Sequence, residues 1–189
     1  MAKYVLVLDI GTTNIKGFLF DSKGEIFDSA RRRPSYILDE PGKVEQDPAE
    51  IWKQSREVLE EVMTKNDLDA SDIDSLGITT QRASFLIFNK ETGETYTNII
   101  TWQDKRAAEY AEKMSNKFAL KLVRGVTKFI SLFSSNPMFI TASQLRFNAD
   151  YASARTGYVL NNNPELRGIV KDPTTAWGTI DTWIIYNLT

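Results

Sequence analysis

The sequence YVLVLDIGTTNIKGFLFD, residues 4–21, decides the fold of this chain. It consists of two short apolar runs, which predict strands at residues 3–8 and 15–20, separated by a polar turn. The turn contains one glycine and two threonines and begins after Asp9. Short continuous apolar runs bounded by turn residues are typical of buried strands. The stretch therefore predicts two buried strands joined by a tight turn, with a carboxylate at the end of the first strand.

The turn has the groups that a bound polyphosphate needs. Backbone N–H groups beside Gly11 can approach an anion closely, and Thr12 and Thr13 supply hydroxyl groups. Lys16 is a nearby cation, and Asp9 is suited to hold Mg²⁺ together with phosphate oxygens. The alternative is an ordinary β-hairpin, because glycine turns between apolar strands are common. The spacing alone leaves both interpretations open.

Residues 25–30 predict a third strand, which follows a turn at residues 21–24. Three consecutive strands joined by short turns predict an antiparallel meander. Rossmann and Walker-type nucleotide sites need a helix directly after the glycine turn, and the glycine motif of neither class occurs in the sequence. Those two classes of site are therefore excluded.

The composition is that of a globular protein: 42% of the 189 residues are hydrophobic and 25% are charged. A formal net charge of −2 argues against nucleic acid or an anionic membrane surface as the main partner. No apolar run approaches the roughly 20 residues that cross a bilayer. The first residues enter a strand at once and do not resemble a secretory or mitochondrial leader. We therefore expect a cytoplasmic protein.

The sequence has no cysteine and no histidine. Disulfide scaffolds, Cys/His zinc sites, thiol nucleophiles and Ser–His triads are therefore excluded. Any acid–base chemistry must use carboxylates, lysine, tyrosine or a metal ion.

The rest of the chain alternates helix and strand signals. Asp47 fits a helix N-cap, and Pro48 the first position of a helix that ends near residues 65–66. The apolar positions on its predicted inner face are Ile51, Val58, Leu59 and Val62. Buried strands are predicted at 73–79 and 84–88, a short strand at 98–102, helices at 103–114, 140–149 and 181–188, helical pieces over 117–146 with a break at 134–137, a loop at 161–164, and a strand after Pro173.

Two polar clusters follow predicted strands. Residues 79–82, TTQR, come directly after a buried strand, where sheet proteins commonly place their sites. Arg82 offers a rigid fork of donors for a substrate oxygen, and the alternative is a structural pair with a carboxylate. At the later strand-to-helix junction we expect Trp102 to pack and Asp104 to cap the helix.

Six segments, taken in order, resemble the N-terminal domain of the FGGY carbohydrate kinases, and most closely the glycerol kinases. They are LDIGTT (8–13), KVEQDP (43–48), GITTQR (77–82), NKETG (89–93), ITWQD (100–104) and GTIDTW (178–183). The resemblance covers residues 4–189, although residues 113–172 match poorly. The segment TTQRASF (79–85) is similar to the corresponding segment of a divergent animal branch of the glycerol kinases.

The resemblance implies an α/β fold of the actin-like ATPase (ribonuclease H-like) class, with a mixed sheet that begins with a three-stranded antiparallel meander and is flanked by helices. It implies ATP and Mg²⁺ as cofactors, bound in a cleft between two domains. Asp9 would lie near Mg²⁺, and Arg82 would bind hydroxyl groups of the substrate. The residues implied in binding the nucleotide phosphates are Gly11, Thr12, Thr13, Asn14 and Lys16.

The chain departs from the glycerol kinase pattern at two positions of the implied substrate site. Glycerol kinases have a glutamate directly after the substrate arginine, where this chain has Ala83. The tyrosine that shields glycerol aligns with Phe139. A carboxylate and a hydroxyl that would contact the substrate are lost, and losses of this kind change specificity by orders of magnitude.

The resemblance also implies that residues 1–189 are an incomplete N-terminal domain, with the C-terminal domain absent. The catalytic base, an aspartate, would lie beyond Thr189, and we expect the chain to be inactive alone. The expected function is ATP-dependent phosphorylation of a polyol or sugar, foremost glycerol to glycerol 3-phosphate. The alternatives are a non-catalytic module that binds nucleotide or polyol, and a pentulose kinase of the xylulokinase type. The expected partners are a small-molecule substrate and, for the full-length form, further copies of the chain, with no nucleic acid and no membrane span.

Overall fold

A computed structural model describes residues 4–134 and 136–189. The strands are β1 Tyr4–Ile10, β2 Ile15–Phe20, β3 Ile26–Arg32, β4 Glu45–Gln46, β5 Ile73–Thr80, β6 Phe85–Asn89, β7 Ile99–Ile100 and β8 Thr175–Thr179. The helices are α1 Pro48–Lys65, α2 Ala108–Ser115, α3 Phe118–Ser131, α4 Pro137–Ser143, α5 Ala152–Asn162, α6 Pro164–Ile169 and α7 Ile180–Leu188, with a 3₁₀ turn at Ala70–Asp72.

The predicted meander forms the first sheet, whose strand order is β3-β2-β1-β5. β1 pairs antiparallel with β2, β2 pairs antiparallel with β3, and β5 joins parallel to β1. The second strand has the predicted bounds, whereas the first continues to Ile10 and the third to Arg32. The predicted start of the first strand at Lys3 lies outside the described residues. The sheet is mixed, as expected.

One face of this sheet carries the core. Leu6, Leu8 and Ile10 alternate along β1 and pack against the apolar side of α1. Each buried side chain of this kind contributes about 1.5–3 kcal/mol to folding. Gly17 of β2 permits the close approach of the helix, because a Cβ atom there would lie 2.8 Å from the Val58 carbonyl oxygen. The sheet and α1 therefore pack as one unit.

Helix α1 has the bounds predicted from its capping residues. The Asp47 carboxylate accepts a hydrogen bond from the Ala49 N–H (2.8 Å), and Pro48 occupies the first helical position. The helix ends at Lys65, with Asn66 as the C-cap. α7 packs beside α1, and the Trp183 indole N–H donates to the Pro48 carbonyl (3.0 Å).

β5 differs from its prediction as a buried strand, because none of its residues is buried. It lies at the edge of the first sheet and pairs with β1 on one side, and no other strand within residues 4–134 and 136–189 pairs with its outer side. Leu76 opposite Leu6 remains 38% exposed. Its apolar sequence predicted the strand correctly, but burial depends on neighbours that the sequence of the strand does not specify.

The second sheet is antiparallel, with the order β4-β7-β6-β8. Four of the five residues of β6 are buried, in agreement with the prediction for residues 84–88. The strand after Pro173 and the final helix are also confirmed, as β8 and α7.

The bounds of two helices and of one loop were predicted wrongly. α2 begins at Ala108 rather than at residue 103. The helix predicted at 140–149 is instead α4, which begins at Pro137, because Asn136 caps it, and which already ends at Ser143. The predicted loop at 161–164 is reduced to Asn163, whose side chain caps α6 by accepting from the Leu166 N–H (3.0 Å).

α3 and α4 form a hairpin. The predicted break at residues 134–137 overlaps the start of α4 at Pro137, and its residue 135 lies outside the described residues. The two helices pack mainly against each other, and neither contains a buried residue. No helix within the described ranges is both long enough and apolar enough to cross a membrane.

Candidate active site

Two loops meet at the carboxyl ends of β1 and β5. Because these strands are parallel neighbours, the turn at residues 11–14 and the segment at residues 81–84 leave the sheet at the same edge. The Gln81 N–H donates to the Ile10 carbonyl (2.8 Å) and holds the two loops together. The structure therefore brings together the predicted phosphate turn and the polar cluster that contains Arg82.

The phosphate turn is fixed by its own backbone and by Tyr36. The Gly11 N–H donates to the Asn14 carbonyl (2.9 Å), and a Cβ atom at residue 11 would lie 3.2 Å from that oxygen. The Tyr36 hydroxyl donates to the Thr12 carbonyl, and burial raises the pKa of Tyr36, which keeps the donor protonated. Thr13 remains exposed. The turn is held by its carbonyl groups while one hydroxyl side chain stays accessible to a ligand.

Trp102 links the turn to a third segment. Its indole N–H donates to the Thr12 hydroxyl (3.2 Å), and its backbone N–H donates to the Ser84 hydroxyl (3.0 Å). The side chain is 40% exposed. Trp102 therefore connects both loops of the site. These internal bonds do not test the expectation that it packs and does not contact a ligand.

Asp9, Lys16 and Arg31 lie on three adjacent strands of the first sheet, on the face away from α1. Asp9 is paired in register with Lys16, and Lys16 with Arg31. Like charges on directly opposed residues repel each other, so Lys16 and Arg31 favour an anion between or beside them. The prediction from sequence missed Arg31, whose position is revealed by the strand register.

The Asp9 carboxylate is available to a ligand, since its side chain makes no hydrogen bond or ion pair with any other residue that the structure describes. Within the same residues, no three acidic side chains cluster in a way that could hold a metal ion by themselves. Mg²⁺ in nucleotide sites is commonly bound by one or two carboxylates together with phosphate oxygens. A single unpartnered carboxylate therefore fits a Mg²⁺ ion that phosphate oxygens also bind.

Arg82 is exposed and has no hydrogen bond or ion pair with the residues described in the structure. The described residues therefore do not support the alternative role of Arg82, a structural ion pair with a carboxylate. Ala83 has φ 59°, in the left-handed region that few residues with a side chain adopt. The backbone turns sharply directly after Arg82, which keeps that side chain at the surface of the loop.

Arg155 holds this strained loop in place. It is 1% exposed, and its guanidinium donates to the carbonyls of Ala83 (2.7 Å), Asp150 (3.1 Å) and Thr101. Burial lowers the pKa of Arg155, while the nearby charges of Asp104 and Asp150 oppose that shift. The prediction from sequence missed this residue, which lies in the segment that resembles the kinases poorly.

The expectation that Asp104 caps the following helix is wrong. α2 begins four residues later, and the buried Asp104 carboxylate accepts from the Val44 N–H (3.1 Å) and from the Arg106 guanidinium (2.7 Å). Arg106 also contacts Glu45. Burial tends to lower the pKa of Arg106, but its bonds with Asp104 and Glu45 outweigh burial and raise it. This ion network anchors the segment that carries Trp102.

Phe139 lies on α4, which packs mainly against α3. Among the described residues, no ring contact, hydrogen bond or ion pair connects its side chain with Arg82 or Ala83. The structure therefore does not place it in the cluster formed by the two loops, and its role in the substrate site stays a prediction.

The sequence profile of the FGGY family of carbohydrate kinases, N-terminal domain, matches residues 4–189. "Glycerol kinase 5" of Danio rerio is 38% identical over 186 residues, which are 98% of this chain and 35% of the relative. "Glycerol kinase" of Mycoplasma mycoides is 34% identical over 187 residues, covering 99% of this chain and 34% of the relative. The chain thus spans about a third of the length of the curated relatives it matches.

Solved structures of the same kind share the fold. Plasmodium falciparum glycerol kinase with ADP superposes with a TM-score of 0.82 at 26% identity, over 100% of this chain and 34% of that one. Gluconate kinase from Lactobacillus acidophilus has a TM-score of 0.75 at 21% identity, over 98% of this chain and 33% of that one, and indicates the fold alone. The predicted actin-like ATPase fold is confirmed.

Proposed function

Because this chain belongs to the FGGY family of carbohydrate kinases, we propose that it forms the phosphate-binding and substrate-binding part of an ATP-dependent polyol or sugar kinase, with glycerol as the first candidate substrate. The observation that carries the proposal is the meeting of two loops at one sheet edge. The turn after β1 and the loop bearing Arg82 are joined by the Gln81–Ile10 hydrogen bond and bridged by Trp102.

In this proposal the turn holds the phosphates of ATP. Backbone donors of residues 12–14 and the Thr13 hydroxyl face the β- and γ-phosphates, while the Gly11 N–H closes the turn on the Asn14 carbonyl. Lys16 and Arg31 balance the phosphate charge from the adjoining strands. Asp9 holds Mg²⁺ together with phosphate oxygens. Bound MgATP supplies the phosphoryl group, and phosphoryl transfer depends mainly on positioning and charge stabilisation. A rigid turn with accessible donors serves both needs.

Arg82 binds hydroxyl groups of the substrate in the proposed site. It is free of internal partners among the described residues, and its planar fork can donate to two oxygens at once. Ala83 stands where glycerol kinases have a glutamate, so this chain lacks that carboxylate. Phe139 stands where they have a tyrosine, so the ring lacks a hydroxyl. We expect fewer polar contacts to the substrate than in glycerol kinases, and therefore a different ranking of polyols and sugars.

The domain assignment is part of the same proposal. We assign residues 1–189 to an N-terminal domain whose catalytic base and adenine-binding residues lie in sequence outside this chain. The open outer side of β5 supports this assignment, since a further strand can pair there. Half of a cleft supplies few of the contacts that position ATP, so we expect the 189 residues alone to turn over no substrate.

The test is a coupled assay of ADP release by the full-length protein, with MgATP and a panel of glycerol, other polyols, pentuloses and gluconate. We expect at least one member of the panel to stimulate ADP release above the rate with ATP alone. The same rate with every member would contradict the proposal.

A non-catalytic binding module is the second candidate, favoured by Ala83 in place of a substrate carboxylate. Calorimetric titration of the full-length protein with MgATP and glycerol separates the two. Binding of both ligands without any turnover supports the module, and measurable phosphorylation of any panel member removes it. A pentulose kinase of the xylulokinase type is the third candidate, and it predicts that xylulose stimulates turnover more than glycerol does.

A further inference from the structure

A pair of buried glutamines connects the two sheets beside Arg82. Gln46 of β4 is fully buried, and Gln81, which directly follows β5, is 8% exposed. The side-chain N–H of Gln81 donates to the Gln46 Oε1 atom (2.8 Å). β4 belongs to the second sheet and β5 to the first, so this hydrogen bond joins the two sheets at the loop that carries Arg82.

The proposed function gives Gln46 no role, although the residue lies in KVEQDP (43–48), one of the six segments that resemble the kinases. Its side chain cannot contact a substrate, because other residues of this chain cover it completely. The contacts of such a side chain do not depend on which surfaces the rest of the full-length protein covers. Any role of Gln46 in the site must therefore act through its partner Gln81, the neighbour of Arg82.

The strand that carries Gln46 is fixed on both sides of this residue. The Glu45 carboxylate accepts from the side-chain N–H of Asn98 (2.9 Å). The next residue, Asp47, caps α1, and Gln46 itself pairs antiparallel with β7. The Gln46 amide therefore offers Gln81 an acceptor at a fixed position.

Arg82 lies between two residues that different parts of the fold hold in place. Gln81 is held twice, since its backbone N–H donates to the Ile10 carbonyl of β1 (2.8 Å) and its side chain reaches β4. On the other side, the Ala83 carbonyl accepts from the Arg155 guanidinium (2.7 Å). Arg82 itself has no hydrogen bond or ion pair within the described ranges, so the direction of its side chain depends on these neighbouring contacts.

The glutamine pair does not have the composition that stability alone would favour. The buried Gln46 Nε2 and Gln81 Oε1 atoms make no hydrogen bond with any residue that the structure describes. Buried polar groups without protein partners destabilise a fold, and two apolar side chains of similar shape would avoid this loss. A hydrogen bond, unlike an apolar contact, has a preferred direction. The pair therefore suits the orientation of the loop better than the simple packing of two sheets.

We propose that Gln46 is a positioning residue of the candidate site, which acts through Gln81 to direct the Arg82 side chain toward the substrate. The role rests on the proposed function, in which Arg82 binds hydroxyl groups of the substrate. Without the glutamine bond, Gln81 keeps only its backbone contact with β1, and the Arg82 side chain leaves the loop in more than one direction. A misplacement of about 1 Å in a catalytic site can lower the rate by about a hundredfold.

The first test compares kcat/KM for substrate-stimulated ADP release between the full-length protein and its Gln46→Met variant. We expect Gln46→Met to lower kcat/KM by at least about tenfold. Its affinity for MgADP should stay within about twofold, measured by isothermal titration calorimetry, because other contacts hold the phosphate turn. An unchanged kcat/KM would overturn the proposal.

A double-mutant cycle separates positioning from a merely structural role. In an Arg82→Met background, Gln46→Met should change kcat/KM by less than about twofold, because Gln46 acts on the substrate only through Arg82. Losses that multiply in the double variant would show that Gln46 acts independently of Arg82, and would overturn the proposal.

Amide hydrogen exchange of the full-length protein tests the same contact without any activity. We expect the backbone N–H groups of residues 81–84 to exchange at least about tenfold faster in Gln46→Met than in the unaltered protein. Unchanged exchange would overturn the proposal. If the unaltered protein shows no substrate-stimulated ADP release, the proposed function is wrong, and the exchange measurement alone then decides whether Gln46 holds the loop.

Gln54→Met is the matched control. Gln54 on α1 also has a buried Oε1 atom without a partner in the described part of the chain, and its side-chain N–H donates to Glu50 (2.7 Å) and to the Arg33 carbonyl (3.3 Å). The control should leave kcat/KM and the exchange of residues 81–84 within about twofold of the unaltered protein. Equal effects of Gln54→Met and Gln46→Met would assign them to a general loss of stability and overturn the proposal.

Circular dichroism checks that each variant remains folded. If Gln46→Met does not fold, the double variant Gln46→Met, Gln81→Met takes its place, because it removes both polar partners together and leaves neither amide unpaired. We expect the double variant to show the same loss of kcat/KM and the same faster exchange. A double variant with unchanged kcat/KM and unchanged exchange would overturn the proposal.

Discussion

At the scale of single residues, the candidate site depends on backbone oxygens held by buried or partly buried donors. Tyr36 fixes the Thr12 carbonyl, and Arg155 fixes the carbonyls of Ala83 and Thr101. These contacts leave Asp9 and Arg82 free for ligands. The residues that position the loops are therefore different from those proposed to contact ATP and substrate, and this separation suits a kinase site.

Replacing Arg155 tests its positioning role. Arg155→Met keeps the length of the side chain but leaves three carbonyls without their donor, two of them at the candidate site. We expect a loss of about 3 kcal/mol in the free energy of unfolding, measured by urea denaturation. Arg33→Met is the matched control, because this arginine is exposed, and it should change stability by less than about 0.5 kcal/mol. An unchanged midpoint for Arg155→Met would show that the loops do not depend on it.

Replacing Lys16 and Arg31 tests the phosphate part of the site. In the full-length protein, Lys16→Met and Arg31→Met should each weaken MgADP binding by about tenfold, because each removes a charge-assisted contact with a phosphate. Isothermal titration calorimetry measures the effect, and Arg33→Met again serves as the control for loss of a surface charge. Equal affinities for all four proteins would place the phosphates elsewhere.

Residue roles were predictable where the chemistry is local. The turn at residues 11–14 could be located because its hydroxyls, glycine and carboxylate lie close together in sequence, and its binding of phosphate stays a prediction. Asp104 was assigned a wrong role because its partner Val44 is 60 residues away in sequence. An aspartate before a helix can either cap the helix or join an ion network, and the local sequence does not distinguish the two roles. Arg155 could not be found at all, because nothing in its neighbours in sequence indicates that it is buried beneath two loops.

At the scale of elements, the prediction succeeded where local signals set both ends. α1 has an aspartate cap, a proline in its first turn and an apolar stripe, and its bounds agree with the structure. β5 was recognised as a strand, but its burial was misjudged because burial is a property of the sheet. α2 begins late because the Asp104–Arg106 contact engages the residues that were expected to open the helix.

The contact between β2 and α1 gives a prediction at this scale. A methyl group in Gly17→Ala would lie 2.8 Å from the Val58 carbonyl oxygen, so the helix must move away from the sheet. We expect a loss of about 1–3 kcal/mol in the free energy of unfolding, measured by urea denaturation. Gly168→Ala in α6 is the control, since a Cβ atom there meets nothing within 4 Å, and it should leave stability unchanged or slightly raised. Equal losses for both variants would contradict the close packing described here.

At the scale of the whole molecule, the chain carries the proposed site at one edge of the first sheet, where β1 and β5 end. The family could be predicted from sequence because six short segments occur in a fixed order. The meeting of the two loops followed only once the parallel pairing of β1 and β5 was known.

The central claim is that this chain supplies the Arg82 loop and the phosphate turn of a carbohydrate kinase. The most direct measurement is kcat/KM for substrate-stimulated ADP release by the full-length protein, compared between Arg82→Met and Arg33→Met. We predict that Arg82→Met lowers kcat/KM for the preferred polyol or sugar by at least about a hundredfold, because a charge-assisted fork to two hydroxyls is lost, while Arg33→Met stays within about twofold. Equal values for the two variants, or no stimulated ADP release by the unaltered protein, would contradict the claim.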